Sequence, residues 1–407
     1  MSAAPGLPAL DGLRVLDLSR VMAGPFAAQI LSDLGADVIK VERPVTGDDT
    51  RQWAPPTMVP APAEPAEESA YFWTCNRGKR SVVADLADPQ GQALVRRLAA
   101  QADVLVENYK VDALARYGLD YEGLRAINPR LVYCSITGFG QTGPYRERPG
   151  YDTIAQALGG LMSITGNADG EAGGGPRKVG VSVVDQMTAL YSVIGILAAL
   201  RERDASGQGQ HLDMSLLDVQ VATLSNIATN YLATGKVPRR LGNRLATVFP
   251  SDSYRCRDGE VMLIVGNDEQ FRRFCEAMDL AALPVDPRFA RNGDRLAHQE
   301  ALDPLLRAAF ARRSVAECQA LLDRAGVPAA PINSIDQVFA DPHVQARGLV
   351  REVPRADGTL ARVLANPIRL SRSPVLDGRL PPRLGEHTAQ AQTQAGWPDN
   401  RTNKETP

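Results

Sequence analysis

The chain has 407 residues, with 45 lysines and arginines against 47 aspartates and glutamates, a formal net charge of −2 and an isoelectric point near 6.2. That length buries large cores and is expected to make two domains, and so even a charge balance leaves no electrostatic footprint for nucleic acid or an anionic membrane surface. Five scattered cysteines without C-x-x-C spacing point to a reducing compartment, expected to be the cytoplasm, and against a zinc site or disulfide framework; no apolar run is read as a membrane span, and MSAAPGLPALDG lacks the grammar of a signal peptide.

Residues 13–42 read as one strand–turn–helix–strand unit. Leu13, Val15, Leu16 and Leu18 form a buried strand, Phe26, Ile30, Leu31 and Leu34 recur at helical spacing, and Val38, Ile39 and Val41 lead a second strand to Glu42. A dinucleotide-binding unit begins this way, acidic end included. Its phosphate-cradling glycines are missing, however. The turn reads Ser19, Arg20, Val21, Met22, Ala23, Gly24, Pro25, with the proline suited to the first helical position. A pyrophosphate does not lie on such a turn in the usual way, so NAD is not the expected ligand.

A proline-rich loop follows from Arg43 to Ala70, too long for a plain connector. Then come a strand over Ser81–Leu86, a helix over Pro89–Ala102, a strand over Asp103–Glu107, short helices across Val111–Ile127 and a strand over Leu131–Ile136. Alternation of this kind predicts an α/β fold with a mostly parallel, Rossmann-like sheet. Residues 137–183 are rich in glycine, which suits close backbone approach to a ligand or plain loop structure. A strong helix over Gln186–Leu200 carries Met187, Leu190, Tyr191, Ile194 and Leu197 along one face. The strand Gln210–Met214 and a helix over Ser215–Ala233 come next. Beyond Val237 the texture changes: Ser253–Cys256 and Val261–Val265 flank Asp258-Gly259 as a hairpin, and helical segments fill 267–325. The expected division is a large domain over 1–220, a smaller α/β domain over 221–332, and a return to the large domain over 333–407, with strand-like Leu360–Leu370 in the tail.

Several chemistries are excluded by what is missing. The four histidines (His211, His298, His343, His387) never reach metal-ligand spacing, and there is no P-loop and no G-x-S-x-G elbow. Asp185 stands before the long helix, where an aspartate ordinarily caps the orphan backbone N–H groups. The same position has a functional reading. Backbone donors and the helix dipole hold a carboxylate ionised, and an ionised carboxylate at a cleft can attack an activated acyl group. Arg43, Arg77, Lys79, Arg80 and Arg116 supply cations around the carboxyl edge of the first sheet, where open α/β sheets bind ligands, and N-R-G-K-R-S at 76–81 suggests a nearby anion. Asn108 and Tyr109 follow a strand at that edge. Tyr151 heads a helix over Asp152–Leu161 that Asp152 is expected to cap. Arg239, Arg240 and Arg244 form a basic turn suited to an anionic substrate or to solvent.

Taken together, these segments resemble the family III CoA-transferases, the group of formyl-CoA transferase and carnitine CoA-transferase. The matching pieces are L-D-G-L-R-V-L-D-L-S-R-V-M-A-G-P at 10–25, L-G-A-D-V-I-K-V-E-R-P at 34–44, N-R-G-K-R-S at 76–81, D-V-L-V-E-N-Y at 103–109, I-T-G-F-G-Q-T-G-P at 136–144, G-Y-D at 150–152 and L-G-E-H-T at 384–388. They span nearly the whole chain in the family's order.

The resemblance implies a CoA-transferase in which Asp185 is the acyl-accepting nucleophile. Its substrates would be acyl-CoA and small carboxylic acids, with no metal and no permanently bound cofactor. It implies CoA contacts at Met22, Ala23, Arg43, Asn108, Tyr109, Arg116 and Tyr151, and a homodimer of two chains threaded as linked rings. Within the family, I-T-G-F-G-Q-T-G-P, G-L-M-S-I-T-G at 160–166 and Gln220–Leu232 look most like succinyl-CoA–glutarate CoA-transferases. A dicarboxylic acyl group needs a cation for its far carboxylate, and Arg244 is the candidate, since a guanidinium fork suits a carboxylate. Three departures stand out: Met22 replaces a family glutamine, Ala87 replaces a lysine found in some members, and a glycine-rich active-site loop is missing from 240–260. Two other readings are an α-methylacyl-CoA racemase, whose family carries histidine where Tyr151 stands, and a non-catalytic CoA-binding protein.

Overall fold

The computed structural model describes residues 6–53, 56, 58, 69–355, 358–393 and 397, so much of the proline-rich segment after Arg43 lies outside the described residues. The chain forms two compact units. One takes residues 1–160, 180–228 and 345–407, the other 161–179 and 229–344. The sequence reading placed these divisions at 220 and 332.

In chain order the first unit contains β1 (Arg14–Asp17), α1 (Ala23–Asp33), β2 (Asp37–Glu42), α2 (Ala70–Asn76), β3 (Arg80–Val83), α3 (Pro89–Ala99), β4 (Val104–Glu107), α4 (Tyr121–Arg125), β5 (Val132–Thr137) and α5 (Asp152–Leu158). After α6 (Leu161–Ile164), which belongs to the second unit, come α7 (Val183–Ser206), β6 (His211–Ser215) and α8 (Leu216–Thr223). The helix expected over 215–233 is broken: α8 stops at Thr223, Ser225 takes φ +51°, and α9 (Ser225–Thr234) starts there.

Six strands pair in the order β3-β2-β1-β4-β5-β6, all parallel. The order reverses between β1 and β4, and a ligand crevice is expected at the carboxyl ends on either side of that switch. Both faces are buried, as the period-two alternation of the strands requires. Val15, Val38, Val104, Val106 and Val132 meet α1 and α7 on one side. Leu16, Ile39, Val41, Leu105 and Tyr133 meet α3 and the segment through Leu114 and Leu124 on the other. Local signals set the helix ends. Asp88 caps α3 ahead of Pro89, and Gly207 closes α7 at φ +76°.

α7 departs from expectation. Its stripe of large apolar residues stays exposed (Leu190, Tyr191, Ile194, Leu197), while Val184, Thr188, Ala189, Ser192, Val193 and Ile196 form the buried face. Small side chains there let α7 pack closely against α1 and β5. Apolar on every side, this 24-residue helix has a mean hydropathy of 1.7 in its most apolar window and would pass for a membrane span by length and composition. The sequence reading bounded this helix at Gln186–Leu200, too short for a span.

A short antiparallel hairpin of β10 (Val350–Pro354) and β11 (Leu360–Leu364) packs on Phe72 and Trp73 of α2. The strand expected over 360–370 is shorter, and α2 lies almost wholly in a stretch to which the sequence reading assigned no element. In the second unit β7 (Ser251–Arg255), β8 (Glu260–Ile264) and β9 (Ala329–Pro331) form an antiparallel sheet. Its core joins Tyr254, Phe271, Phe274 and Phe310.

Beneath the carboxyl edge of the large sheet lie two fully buried lysines. Lys79 Nζ donates to Asp17 Oδ2 at 2.8 Å, to the Pro25 carbonyl at 2.8 Å and to Asn76 Oδ1 at 2.9 Å. Lys40 Nζ meets Asp48 Oδ2 at 2.9 Å and the Ser19 carbonyl at 2.7 Å. Burial alone would raise the Asp17 pKa, but Lys79 and Lys40 hold it below its ordinary value; Lys40 likewise helps bring Asp48 down to about 2 against its own burial. The cations of N-R-G-K-R-S are thus spent inside the fold, at the amino end of β3: Arg77 pairs with Asp33 and Arg80 with Asp37. They do not face the carboxyl-edge cleft as the sequence suggested. Breaking a buried pair leaves an uncompensated charge, so Lys79→Met is expected to lower the unfolding free energy by about 3–5 kcal/mol. Urea melts compare it with Arg288→Ala, whose exposed ion pair carries little; equal midpoints for the two variants would contradict the argument.

Candidate active site

The turn between β1 and α1 is held by bonds from four separate segments of the first unit. The carboxyl of Asp17 accepts the Ser19 N–H at 2.9 Å, and Lys40 takes the Ser19 carbonyl. Asn108 grips Arg20 from both sides, accepting its N–H at 2.8 Å and donating to its carbonyl at 2.7 Å. The Val21 N–H reaches Asp48 at 3.3 Å, and Cys75 Sγ of α2 donates to the Val21 carbonyl at 3.3 Å. These bonds hold Val21 at φ +69°, a left-handed conformation that a β-branched residue avoids, at a cost of about 1–3 kcal/mol. Strain of this kind persists only where the surroundings over-determine the backbone. Here it delivers Met22 as the first residue of the α1 N-terminus, with no side-chain cap and its leading N–H groups turned to the carboxyl edge.

Beside this turn, on the same edge, a cleft of about 240 Å³ collects residues from the ends of four strands. Ser19 and Arg20 come from β1, Arg43 from β2, Leu86 and Ala87 from β3, and Tyr109, Arg116 and Tyr117 from the segment after β4. Its floor is Lys40. Asp49 bridges Arg43 and Arg20, the latter at 3.2 Å, and Arg20 lies 5.5 Å from the Tyr109 ring centre. Arg116 stacks over Tyr117 at 4.5 Å and has no carboxylate partner among the described residues. A cationic rim with aromatic faces fits a nucleotide carrying phosphates. The loop after β4 is fixed by Glu107, whose Oε2 accepts the Tyr109 N–H at 2.7 Å. Burial pushes that carboxyl up to about 7, while Ser135 and the Tyr109 N–H draw it down.

α2 connects this turn to the start of α7: Cys75 bonds Val21, and the Tyr71 phenol lies against Ser182. Both α1 and α7 start at the carboxyl edge of the parallel sheet, so Asp185 shares that edge with Met22 and Ala23. Asp185 does not cap its helix, contrary to expectation. It lies inside the first turn, Ser182 holds the cap position without a side-chain bond, and the helix donors go elsewhere. Asp152 Oδ2 accepts the N–H groups of Val184 at 2.7 Å and Asp185 at 3.2 Å. Nor does Asp152 cap α5; Tyr151 stands at that position. Gly138 and Gly150 make this possible. Their backbones touch so closely that a Cβ on Gly138 would sit 2.6 Å from the Gly150 Cα, and the crossing carries Tyr151 and Asp152 back toward α7.

The Asp185 carboxyl therefore has no hydrogen bond or ion pair among the described residues. Burial, and then the charge of Asp152, push it up to about 7. The expectation that backbone donors would hold it ionised fails because the carboxyl is buried and Asp152 has taken those donors. A carboxylate left without donors is a stronger base and a better nucleophile.

Of the residues singled out in the sequence, Arg43, Tyr109 and Arg116 line the cleft. Asn108 is committed to the Arg20 backbone, Met22 and Ala23 are buried at the head of α1, and Tyr151 is exposed beside Asp152. Arg244, in the second unit, is engaged by Glu171, and Arg240 by Asp169. Sequence reasoning did not select Arg20, Glu107 or Tyr71. Arg20 was within reach, since it follows directly on β1, but the other two act through contacts across the fold. Among the described residues no cluster of three or more His, Cys, Asp or Glu side chains is placed to hold a metal ion.

Comparison with known proteins gives a consistent result. The model of CoA-transferase family III matches residues 10–388. A succinate–glutarate CoA-transferase of Agrobacterium fabrum is 50% identical over 383 residues, 94% of either chain. A succinyl-CoA:glutarate CoA-transferase of Mus musculus is 41% identical over 379 residues, covering 93% of this chain and 84% of that one. A CAIB/BAIF family protein of Brucella suis, known from a crystal structure, superposes with a TM-score of 0.87 at 46% identity, covering 96% of this chain and all of that one.

The raised Asp185 pKa has a consequence for stability. Its ordinary value is 3.8 and its folded value about 7, so the ionised form strains the fold. The associated stability is complete below pH 4 and is lost as pH rises through 7. Asp185→Asn should therefore be the more stable protein at pH 8, by about 1–3 kcal/mol after allowance for solvent screening. The gain should shrink toward pH 5 in urea melts; a difference that does not change with pH would contradict it.

Proposed function

This chain belongs to CoA-transferase family III, and from that membership we propose that it moves CoA from succinyl-CoA to a dicarboxylic acid of the glutarate type. The names of the similar proteins from Agrobacterium fabrum and Mus musculus support the pair of acids. The observation that carries the mechanism is Asp185: a carboxyl with no partner among the described residues, at the mouth of α7, kept basic by burial and by the charge of Asp152.

In the proposed sequence an Asp185 oxygen attacks the thioester carbonyl of succinyl-CoA. The C–S bond breaks, CoA leaves as thiolate, and a mixed aspartyl–succinyl anhydride remains. The thiolate then attacks the Asp185 carbonyl carbon, the anhydride C–O bond breaks, and succinate departs. The aspartyl–CoA thioester is next attacked by the acceptor carboxylate, which expels the thiolate and forms a second anhydride. Attack of the thiolate on the acceptor's carbonyl completes the new acyl-CoA and returns Asp185 as carboxylate. No proton, ATP or metal enters the balance, because one thioester replaces another. Each tetrahedral oxyanion calls for donors, and losing one such donor typically costs about 3 kcal/mol. The uncapped N–H groups at the head of α1 are available for that task. Arg43, Arg116 and Tyr109, joined by Arg20, are assigned to the nucleotide end of CoA.

Asp185→Ala is expected to lose CoA exchange between succinyl-CoA and glutarate by at least about a thousandfold while keeping its fold, in line with removal of a nucleophile that no neighbour replaces. Hydroxylamine added during wild-type turnover should convert Asp185 to a hydroxamate, read by mass spectrometry. Turnover in the variant close to wild type, or a label elsewhere, would sink the assignment.

We further propose that the working unit is a homodimer. The large apolar residues of α7 are exposed, Ile194 to 61%, and so are Ile154 and Leu158 of α5; exposed apolar surface of this kind marks interaction sites. Sedimentation should return twice the 43.8 kDa of one chain. A monomer at micromolar concentration would count against it.

A further inference from the structure

An α-helix opens with backbone N–H groups that have no partner inside it. In α7 two of them are satisfied from outside, by Asp152 of α5. Asp152 is itself anchored: its other oxygen accepts from Gln156 Nε2 at 2.5 Å, and both side chains are buried. A neutral serine, threonine or asparagine would satisfy the same donors. A carboxylate adds a negative charge next to Asp185, in a half-buried place where water screens it poorly.

We propose that Asp152 is a positioning residue for acyl transfer, holding the first turn of α7 so that Asp185 is aimed at the substrate and, through its charge, keeping the Asp185 oxygens unbonded and reactive. This rests on the reading of Asp185 as the nucleophile. The charge acts twice. It makes the free carboxylate more basic, and it favours the acylated state, because an anhydride or thioester on Asp185 is neutral and no longer repelled.

Few other groups compete for this effect. From α2 the Tyr71 phenol faces the site through Ser182. α1 carries one acid, Asp33, in its last turn and paired with Arg77, and β5 carries no charged side chain. On β6 Asp213 accepts the Gln141 N–H, and on α8 Asp218 lies in the first turn.

The test is Asp152→Asn. Its amide oxygen can still accept from Val184 and Asp185, and a reversed Gln156 amide can meet its new N–H, so the cap survives and the charge goes. The acid limb of kcat/KM should move down by about half to one pH unit, with a several-fold lower plateau, because removing a like charge lowers the Asp185 pKa. Asp152→Ala, which loses cap and charge together, should also lose several degrees in Tm. An acid limb that stays in place in folded Asp152→Asn would overturn the proposal. Should that variant turn over too slowly, carbodiimide labelling of Asp185 against pH, read by mass spectrometry, reports the same titration without acyl transfer, and an unmoved midpoint would be equally decisive against it. Failure to trap an acyl group on Asp185 would instead count against the nucleophile assignment, since carbodiimide labelling does not depend on it.

Discussion

Two lysines buried under the carboxyl edge of the parallel sheet are the constraint on which the rest depends. Each is costly to remove from water, and each is tolerated because acceptors surround it: Asp17, Asn76 and a carbonyl for Lys79, Asp48 and a carbonyl for Lys40. Their acceptors are also what the first turn is made from. Asp17 and Asp48 bond the backbone of Ser19 and Val21, so neutralising the lysines and shaping the turn are one arrangement. A left-handed valine can exist there because these charges leave the chain no other course.

From that turn the site extends in two directions. Toward β4 it is gripped by Asn108, the neighbour of Tyr109 in the cleft wall, so the backbone that leads into α1 is tied to that wall. Toward α7 it is linked by α2, whose Cys75 and Tyr71 touch Val21 and Ser182. The proposed mechanism needs a nucleotide anchor and a reacting carboxylate held in fixed relation while acyl groups come and go. A seven-residue helix braced at both ends provides this more rigidly than a loop.

Much of this was legible in the sequence. The alternating apolar runs gave the parallel sheet, and motif order gave the family; it also pointed to Arg43, Tyr109 and Arg116, which the fold brings into one cleft, and to Asp185 in the first turn of α7. What escaped reading was the use of charge. Arg77, Lys79 and Arg80 looked like ligand-binding cations, but their partners Asp33, Asp17 and Asp37 lie in distant segments, so the pairing is invisible without the fold. The cap of α7 was misassigned for the same reason: local rules place an acceptor near the helix start, and here the acceptor arrives from α5. The large residues of α7 also misled, because periodicity marks an apolar stripe without saying whether the chain itself covers it.

The nucleotide cleft holds an anion of its own before any ligand arrives. Asp49 already sits between Arg20 and Arg43, while Arg116 has no such counter-charge. Entry of a polyphosphate, as proposed, would therefore be an exchange at two arginines and a gain at the third, and fewer small ions would be released than a count of guanidinium groups suggests. For a nucleotide bound there as proposed, salt in the surrounding medium would weaken the grip less steeply than so cationic a rim implies, with Asp49 as an internal buffer against ionic conditions.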